Sequence, residues 1–379
     1  MKLRNVLTIY ACLSCVAALA QSPIGESHTT VREFTDSAGT AVPSDSPQNR
    51  KGNIFKQFFR AFNAMDTTYI TPNKYNWAFM LQNTNSFETY TLHSRELGQK
   101  LSFSPRPAIK IGPYLGWRWI FLGYTFEVSS LGKGQQSKKT EFELSLYSSM
   151  LGCDLIYRRT GDDFRLRKGL GEEAREVEGE NYHGINVKVT GINAYYIFNH
   201  KRFSYPAAFA QSTVQRKSCG SWKVGFAYTR HELDFDYNAL PPVLTHNPNH
   251  ELSQDFQVDK VKYTDFSLSC GYTYNWVFKK NWLFCISIVP AIGYKKTHTA
   301  TVQPENETET SALASHLRNL NFDVTGRAGL VWNNTKYFGG LSLIVHNYNY
   351  RHNRLSINNT FGTLNLYIGL NFHKRKAYR

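Results

Sequence analysis

Over most of the chain from residue 75 onward, apolar and polar side chains alternate one for one. The clearest run closes the sequence: Leu364, Leu366, Ile368, Leu370 and Phe372 share one face, and Asn365, Tyr367, Gly369 and Asn371 share the other. A period of two is the mark of a strand with one apolar and one polar face. The same reading predicts twelve strands, with a range of ten to fourteen. They cover about 76–83, 86–94, 101–114, 116–128, 139–159, 184–198, 221–235, 261–277, 281–298, 319–332, 336–349 and 361–372. Most exceed the ~9–11 residues that cross a bilayer, so they should project beyond it. Trp117, Trp119, Trp222, Trp276, Trp282 and Trp332 fall near strand ends, as an interfacial aromatic girdle requires.

The connections follow a second pattern. Short links at 333–335, at 279–280 and before Trp222 alternate with long ones at 350–360, 299–318, 236–260 and 160–183. A transmembrane antiparallel β-barrel has this arrangement, with short turns and both termini on the periplasmic side. The stretch 199–220 breaks the alternation if it spans, because His200-Lys201-Arg202 would be a very short outer loop. Pro206 would also remove a ladder donor from a closed wall that has no edge to absorb the loss. We therefore expect 199–220 to be a periplasmic or lumenal insert with a short helix near 206–212. Its Arg216 and Lys217 would be free to meet carboxylates such as Glu141 or Asp265.

Before the strands, Lys2 and Arg4 precede an apolar stretch from Val6 to Ala17 and an Ala18-Leu19-Ala20 cleavage pattern. That predicts a signal peptide over 1–20. Residues 21–50, rich in Ser, Thr, Pro and Gly, read as a disordered periplasmic lead. Over 51–66, Ile54, Phe58 and Phe62 recur at helical spacing with Lys56 and Arg60 on another face, which predicts a short amphipathic helix. The barrel would then occupy 67–379. No later segment approaches the ~20 apolar residues of a membrane helix, so an exported chain of this kind is periplasmic, secreted or a barrel in the outer membrane.

Composition agrees with the barrel. Aromatic residues make up 15% of the chain, yet overall hydropathy is negative, because half of every such strand is polar. The net charge of +15 is scattered rather than patched, so no nucleic-acid partner is expected. Three long loops, 160–183, 236–260 and 299–318, hold fourteen acidic and six basic residues. The mature cysteines Cys153, Cys219, Cys270 and Cys285 have no metal-ligand spacing. Cys270 and Cys285 lie on opposite strand faces, so free thiols are expected.

Candidate chemistry lies on the lumen-facing side. By alternation, Glu141, Glu143, Lys188, Lys223, His231, Asp265, Lys295, Asp323, Arg327 and His346 point inward. Both signs occur, and in so narrow a barrel such groups pair across the lumen, because an unpaired buried charge is costly. No catalytic, cofactor or metal residues stand out: Ser342 and His346 share a face ~13 Å apart, too far for proton transfer. Two function classes stay open. One is a narrow pore or a structural or surface-binding barrel; the other is a lipid-modifying enzyme of the phospholipase or deacylase type.

Asp66-Thr-Thr-Tyr-Ile70, Tyr75-Asn76, Gly116-Trp-Arg-Trp-Ile-Phe-Leu-Gly-Tyr124, Tyr196 through Phe209 and Gln215-Arg-Lys-Ser-Cys-Gly-Ser221 together resemble the outer-membrane barrel-type family "domain of unknown function 4421" of gut and oral Gram-negative bacteria. The closing strand likewise resembles the targeting strand of Gram-negative outer-membrane barrels, with His373 to Arg379 trailing beyond its final aromatic residue. These resemblances imply a barrel in the outer membrane, with outer-membrane lipid, lipopolysaccharide and the barrel-assembly machinery as partners. They supply no catalytic residues.

Overall fold

The computed structural model describes residues 65–378 apart from 107, 118–119, 124–125, 128–139, 161–163, 169–174, 176, 246–251, 258, 301–318 and 353–354. The signal peptide, the lead and the helix expected before residue 65 lie outside the described residues. The strands are β1 (Ile70–Pro72), β2 (Tyr75–Ser94), β3 (Lys100–Pro105), β4 (Ala108–Trp117), β5 (Ile120–Gly123), β6 (Phe126–Glu127), β7 (Thr140–Tyr147), β8 (Leu151–Thr160), β9 (Phe164–Lys168), β10 (Asn181–Tyr182), β11 (Ile185–Ile197), β12 (Thr213–Gln215), β13 (Cys219–Phe235), β14 (Lys260–Lys279), β15 (Trp282–Ala300), β16 (Leu320–Asn333), β17 (Tyr337–His352) and β18 (Leu355–Lys374). One helix turn, α1 (Pro206–Phe209), stands between β11 and β12.

Every pairing is antiparallel. The wall runs from β5 and β6 through β4, β2, β18, β17, β16, β15, β14, β13, β11 and β8 to β7. Counting β5 and β6 as one broken strand makes about twelve wall strands, curled into a barrel. Glu141 on β7 meets Lys110 on β4 and Ser86 on β2, which brings the two ends of the path together across the seam. Short turns follow β7, β14 and β16, so one end of the barrel is the short-turn end. At the other end β3 pairs with the upper part of β2, and β9 and β10 follow it over the mouth.

Several strand boundaries differ from the alternation reading: 101–114 is β3 and β4, the long link expected at 350–360 lies within β17 and β18 apart from 353–354, and β9 and β10 lie within the loop expected at 160–183. The runs 76–83 and 86–94 are one 20-residue strand, β2. The polar residues that seemed to divide them stay in the ladder: Asn85 bonds Asn83, and Asn83 bonds the Lys110 carbonyl, all on the outward side. Conversely, 139–159 is two strands. Ser148 Oγ accepts from the amides of Met150 and Leu151 at 3.2 and 2.8 Å, which builds a tight turn without Gly or Pro. These last two differences cancel in the count of wall strands.

The faces of each strand sort by height. Near the short-turn end and the middle, apolar side chains point out, with Leu268 and Ile368 70% and 68% exposed, while Lys223, Asp154 and Arg327 are buried inside. Trp77, Trp222, Trp276, Tyr337 and Phe372 lie exposed around the short-turn rim. Towards the long-loop end the order inverts. On β18, Leu355, Ile357 and Phe361 are buried while Ser356, Asn358 and Thr360 face out; on β11, Ile185, Val187 and Val189 are buried. The long strands therefore pass from an inside-out zone into one packed like a water-soluble domain. A contiguous outward apolar belt of this kind has no favourable place in water and matches a hydrocarbon layer.

Candidate functional site

The lumen has three levels. At the long-loop end an apolar core fills it: Leu92, Leu101, Phe103, Phe164, Leu166, Tyr182, Phe235, Leu244, Phe256, Val261 and Tyr350 belong to one buried cluster. Phe103, Tyr182 and Phe235 pack ring against ring with centroids 5.0–5.8 Å apart. Each such side chain contributes ~1.5–3 kcal/mol on burial, so this end is held by ordinary hydrophobic packing.

The middle level is charged. Arg327 on β16 crosses to Asp154 on β8 at 2.5 Å, and donates to the Tyr147 hydroxyl at 2.8 Å. Ser145 and Asn193 donate to the same carboxylate at 2.7 and 3.2 Å. Arg158 joins Glu141 at 2.5 Å and lies 3.8 Å from Glu88; Lys110 bonds Glu141 at 2.8 Å. Thr160 and Tyr90 donate to Glu88, each at 3.0 Å. Bonds from several strands to each carboxylate turn the middle of the lumen into a set of struts.

At the short-turn end the insert enters the barrel. Phe203 and Tyr205 are fully buried with Tyr147 and Tyr195, and Ala207 and Ala208 of α1 pack on Leu283, Cys285 and Val331 of the wall. Pro206 suits the first turn of a helix, where its missing N–H is no loss. Gln211, at φ 55°, reverses the chain after α1 and donates to Tyr367 on β18 at 2.7 Å. Asn275 on β14 donates to the Ser204 carbonyl at 2.8 Å. Lys223 sits 4.5 and 4.3 Å from the ring centroids of Tyr195 and Tyr205 and donates to the Tyr205 hydroxyl at 3.1 Å. β12 then pairs with β1, and Asp66 N–H bonds the Lys201 carbonyl at 2.8 Å, so the entering chain is stitched to the insert. Two hydrogen bonds from Thr68, helped by Arg202 and Lys217, hold the Asp66 carboxyl below the usual carboxylate range.

The short helix expected near 206–212 is α1. The expected meeting of Arg216 and Lys217 with Glu141 or Asp265 is corrected. Arg216 bonds Thr71 at 2.7 Å, and Lys217 lies 5.3 Å from the Tyr69 ring centroid, because pairing with β1 turns both outward. Of the inward candidates, Glu141, Lys223, Asp265, Lys295, Asp323, Arg327, His231 and His346 line the lumen. Glu143 pairs opposite Ile156, but its side chain is outside the described residues. Lys188 is corrected: it lies on the outward side of β11 between the buried Val187 and Val189, above the level where polarity inverts. Four lumenal charges were missed. Asp154 and Arg158 follow the 148–150 turn, which resets the parity that an unbroken strand would assign. Glu88 and Lys110 alternate with outward Phe87 and with Ile109 and Ile111, a readable signal.

Both histidines are held by neighbouring side chains. His231 hydrogen-bonds Thr229 and stacks on Tyr263, and His346 hydrogen-bonds Thr325 and stacks on Phe361. Among the described residues no cluster of metal-ligating side chains is present, and Cys153, Cys219, Cys270 and Cys285 are free. Cys270 is exposed outside and Cys285 buried inside, the opposite faces that alternation assigns.

An opening interrupts the wall between β16 and β17. β16 and β17 pair only as far as Val324 and Asn347, whereas β15–β16 pairing continues to Tyr294 and Leu320, and β17–β18 pairing to His352 and Leu355. Side chains replace the missing ladder: Asn349 N–H donates to Asp323 at 2.9 Å, and Lys295 bonds both Asp323 and the Asn349 carbonyl. The wedge holds a cavity of about 260 Å³ lined by Ile292, Leu320, Asn321, Phe322, Asn349 and Arg351.

An outward apolar belt around a polar, ion-paired interior defines a transmembrane β-barrel protein. The chain belongs to the family described as Domain of unknown function (DUF4421), which it matches over residues 64–372. No curated protein matches it. Among solved structures, the outer membrane protease OmpT from Escherichia coli is similar at 7% identity, with 80% of this chain and 98% of that chain covered and a TM-score of 0.32. The translocator domain of autotransporter NalP from Neisseria meningitidis is similar at 10% identity, covering 85% and 94%, with a TM-score of 0.28. Ail, the attachment invasion locus protein of Yersinia pestis, is similar at 8% identity, covering 77% and 99%, with a TM-score of 0.20. Likenesses of this degree carry no argument, and the fold rests on this chain's own pairing and faces.

Proposed function

We propose that this chain is an outer-membrane barrel with a closed lumen, serving as a structural or surface-binding barrel rather than as a pore or an enzyme. The observation that carries the reading is the filling of the lumen at all three levels, from the apolar core through the charged struts to the inserted α1 segment. In this reading residues 1–20 direct export and 21–50 form a periplasmic lead. The short-turn end faces the periplasm, and the closing strand β18 engages the assembly machinery. The outer surface then carries the function, through the long loops and the rim above the apolar belt. An ordered water file through the middle would need a break in the struts, and the Arg327–Asp154 crossing opposes one.

Planar-bilayer recording of the purified full-length protein, with insertion verified by heat-modifiable gel migration, tests this. Inserted protein should give no steady openings. Reproducible ion-selective conductance would overturn the closed-lumen reading, and lipid hydrolysis by the same preparation would favour the enzyme class.

A further inference from the structure

We propose that the wedge between β16 and β17 binds the anionic, acylated glycolipid of the outer leaflet, the lipid A portion of lipopolysaccharide. This inference rests on the outer-membrane reading above. The two walls of the wedge have opposite chemistry. Ile292, Leu320 and Phe322, on the β15–β16 side, are exposed and apolar. Across the gap stand Asn349 and the exposed cation Arg351, continued outward by a ladder in which Asn347, Asn349, Asn358 and Thr360 hydrogen-bond one another. An acyl chain fits the first wall and a phosphorylated sugar the second. Phosphate is the partner an Arg fork recognises best, and amide side chains match sugar hydroxyls.

The height is also suitable. The wedge sits where the outward face of β17 changes from Leu343 and Val345 to Asn347, Asn349 and Arg351, at the upper edge of the apolar belt. Lys295 and Asp323 hold the gap open by satisfying the backbone of Asn349, so no strand shift is needed to admit a ligand.

The test is titration of lipid A against the detergent-solubilised full-length protein, read by native mass spectrometry. Arg351→Glu removes the cation and Ile292→Asn spoils the apolar wall; Lys262→Gln, outward on β14, is the control. The expected result is one tightly held lipid A, weakened roughly tenfold or more by Arg351→Glu, weakened also by Ile292→Asn and unchanged by the control. Phosphatidylglycerol at equal concentration should not compete. Equal binding by Arg351→Glu and wild type, equal competition by phosphatidylglycerol, or no lipid A on a wild-type protein that migrates as a folded barrel would each overturn the site. Outer-membrane fractionation and bilayer recording of the same protein keep that outcome separate from failure of the closed-barrel reading.

Discussion

Arg327 and Asp154 show how a lumenal charge is held. Both are nearly fully buried, and each bonds the other plus a neighbour from a third strand. Such a pair adds little over an apolar substitute, but removing one partner strands the other, at a cost of ~3–5 kcal/mol. Arg327→Met should therefore lower the unfolding free energy by about that amount in urea titrations of the folded barrel. Arg327→Met combined with Asp154→Leu should recover part of the loss, whereas additive losses would show that the two do not act as a pair. Asp66 gives a pH prediction at the short-turn end. Its folded pKa is depressed, so its stabilisation is complete above the unfolded value of 3.8 and is lost as pH falls through the folded one. Hydrogen exchange at the amides of Tyr69 and Ile70, which bond the Asp66 carbonyl, should be unchanged between pH 7 and 5 and should accelerate, after correction for intrinsic rates, only below about 4. Acceleration already between pH 7 and 5 would contradict the assignment.

Among the elements, the insert is the most consequential. Tyr205 is fully buried, packs edge-on or tilted against the rings of Tyr147, Tyr195 and Phe209, and accepts the Lys223 hydrogen bond. Tyr205→Ala should cost about 3–5 kcal/mol and raise the protease sensitivity of the segment 199–220 while leaving the barrel wall intact. Single cysteines at 205, 207 and 209 should stay unreactive towards a lipid-phase probe; labelling there would mean that the segment spans the bilayer. A narrower constraint lies on β14, where a Cβ on Gly271 would come within 2.3 Å of the Ile288 carbonyl oxygen and 2.6 Å of the Val289 Cα. Gly271→Val should therefore force β14 and β15 apart and lower the yield of heat-modifiable barrel. Much of this was legible in the sequence, because a lipid-facing strand cannot hide its period of two. Pro206 and the broken loop alternation likewise pointed to the insert. Three features were not legible. A turn of Ser148-Ser149-Met150 has none of the usual punctuation, so β7 and β8 read as one strand and Asp154 and Arg158 were lost with the parity. Asn83 and Asn85 made one strand read as two, because their hydrogen bonds to each other and to the Lys110 carbonyl are not written in the period. Lys188 was misplaced because polar means inward only within the belt, and nothing local to β11 marks where the belt ends.

At the scale of the molecule, the account is a change of solvent along each strand. Strands of 16–20 residues such as β2, β14, β17 and β18 are about twice what a bilayer needs. Their lower parts face hydrocarbon around a polar interior, and their upper parts face water around an apolar one. This one inversion accounts for the exposed apolar belt, the paired lumenal charges, the filled outer mouth and the wedge at the level where the two regimes meet. β18 contains the whole transition, so a spin-label accessibility scan along 355–372 in reconstituted bilayers is the most direct test. The account predicts oxygen-accessible, water-shielded labels at 364, 366, 368, 370 and 372, water-accessible labels at 356, 358 and 360, and neither signal at 357, 359 and 361. Water accessibility at all the even positions from 356 to 372 would contradict it, because no part of the strand would then face lipid.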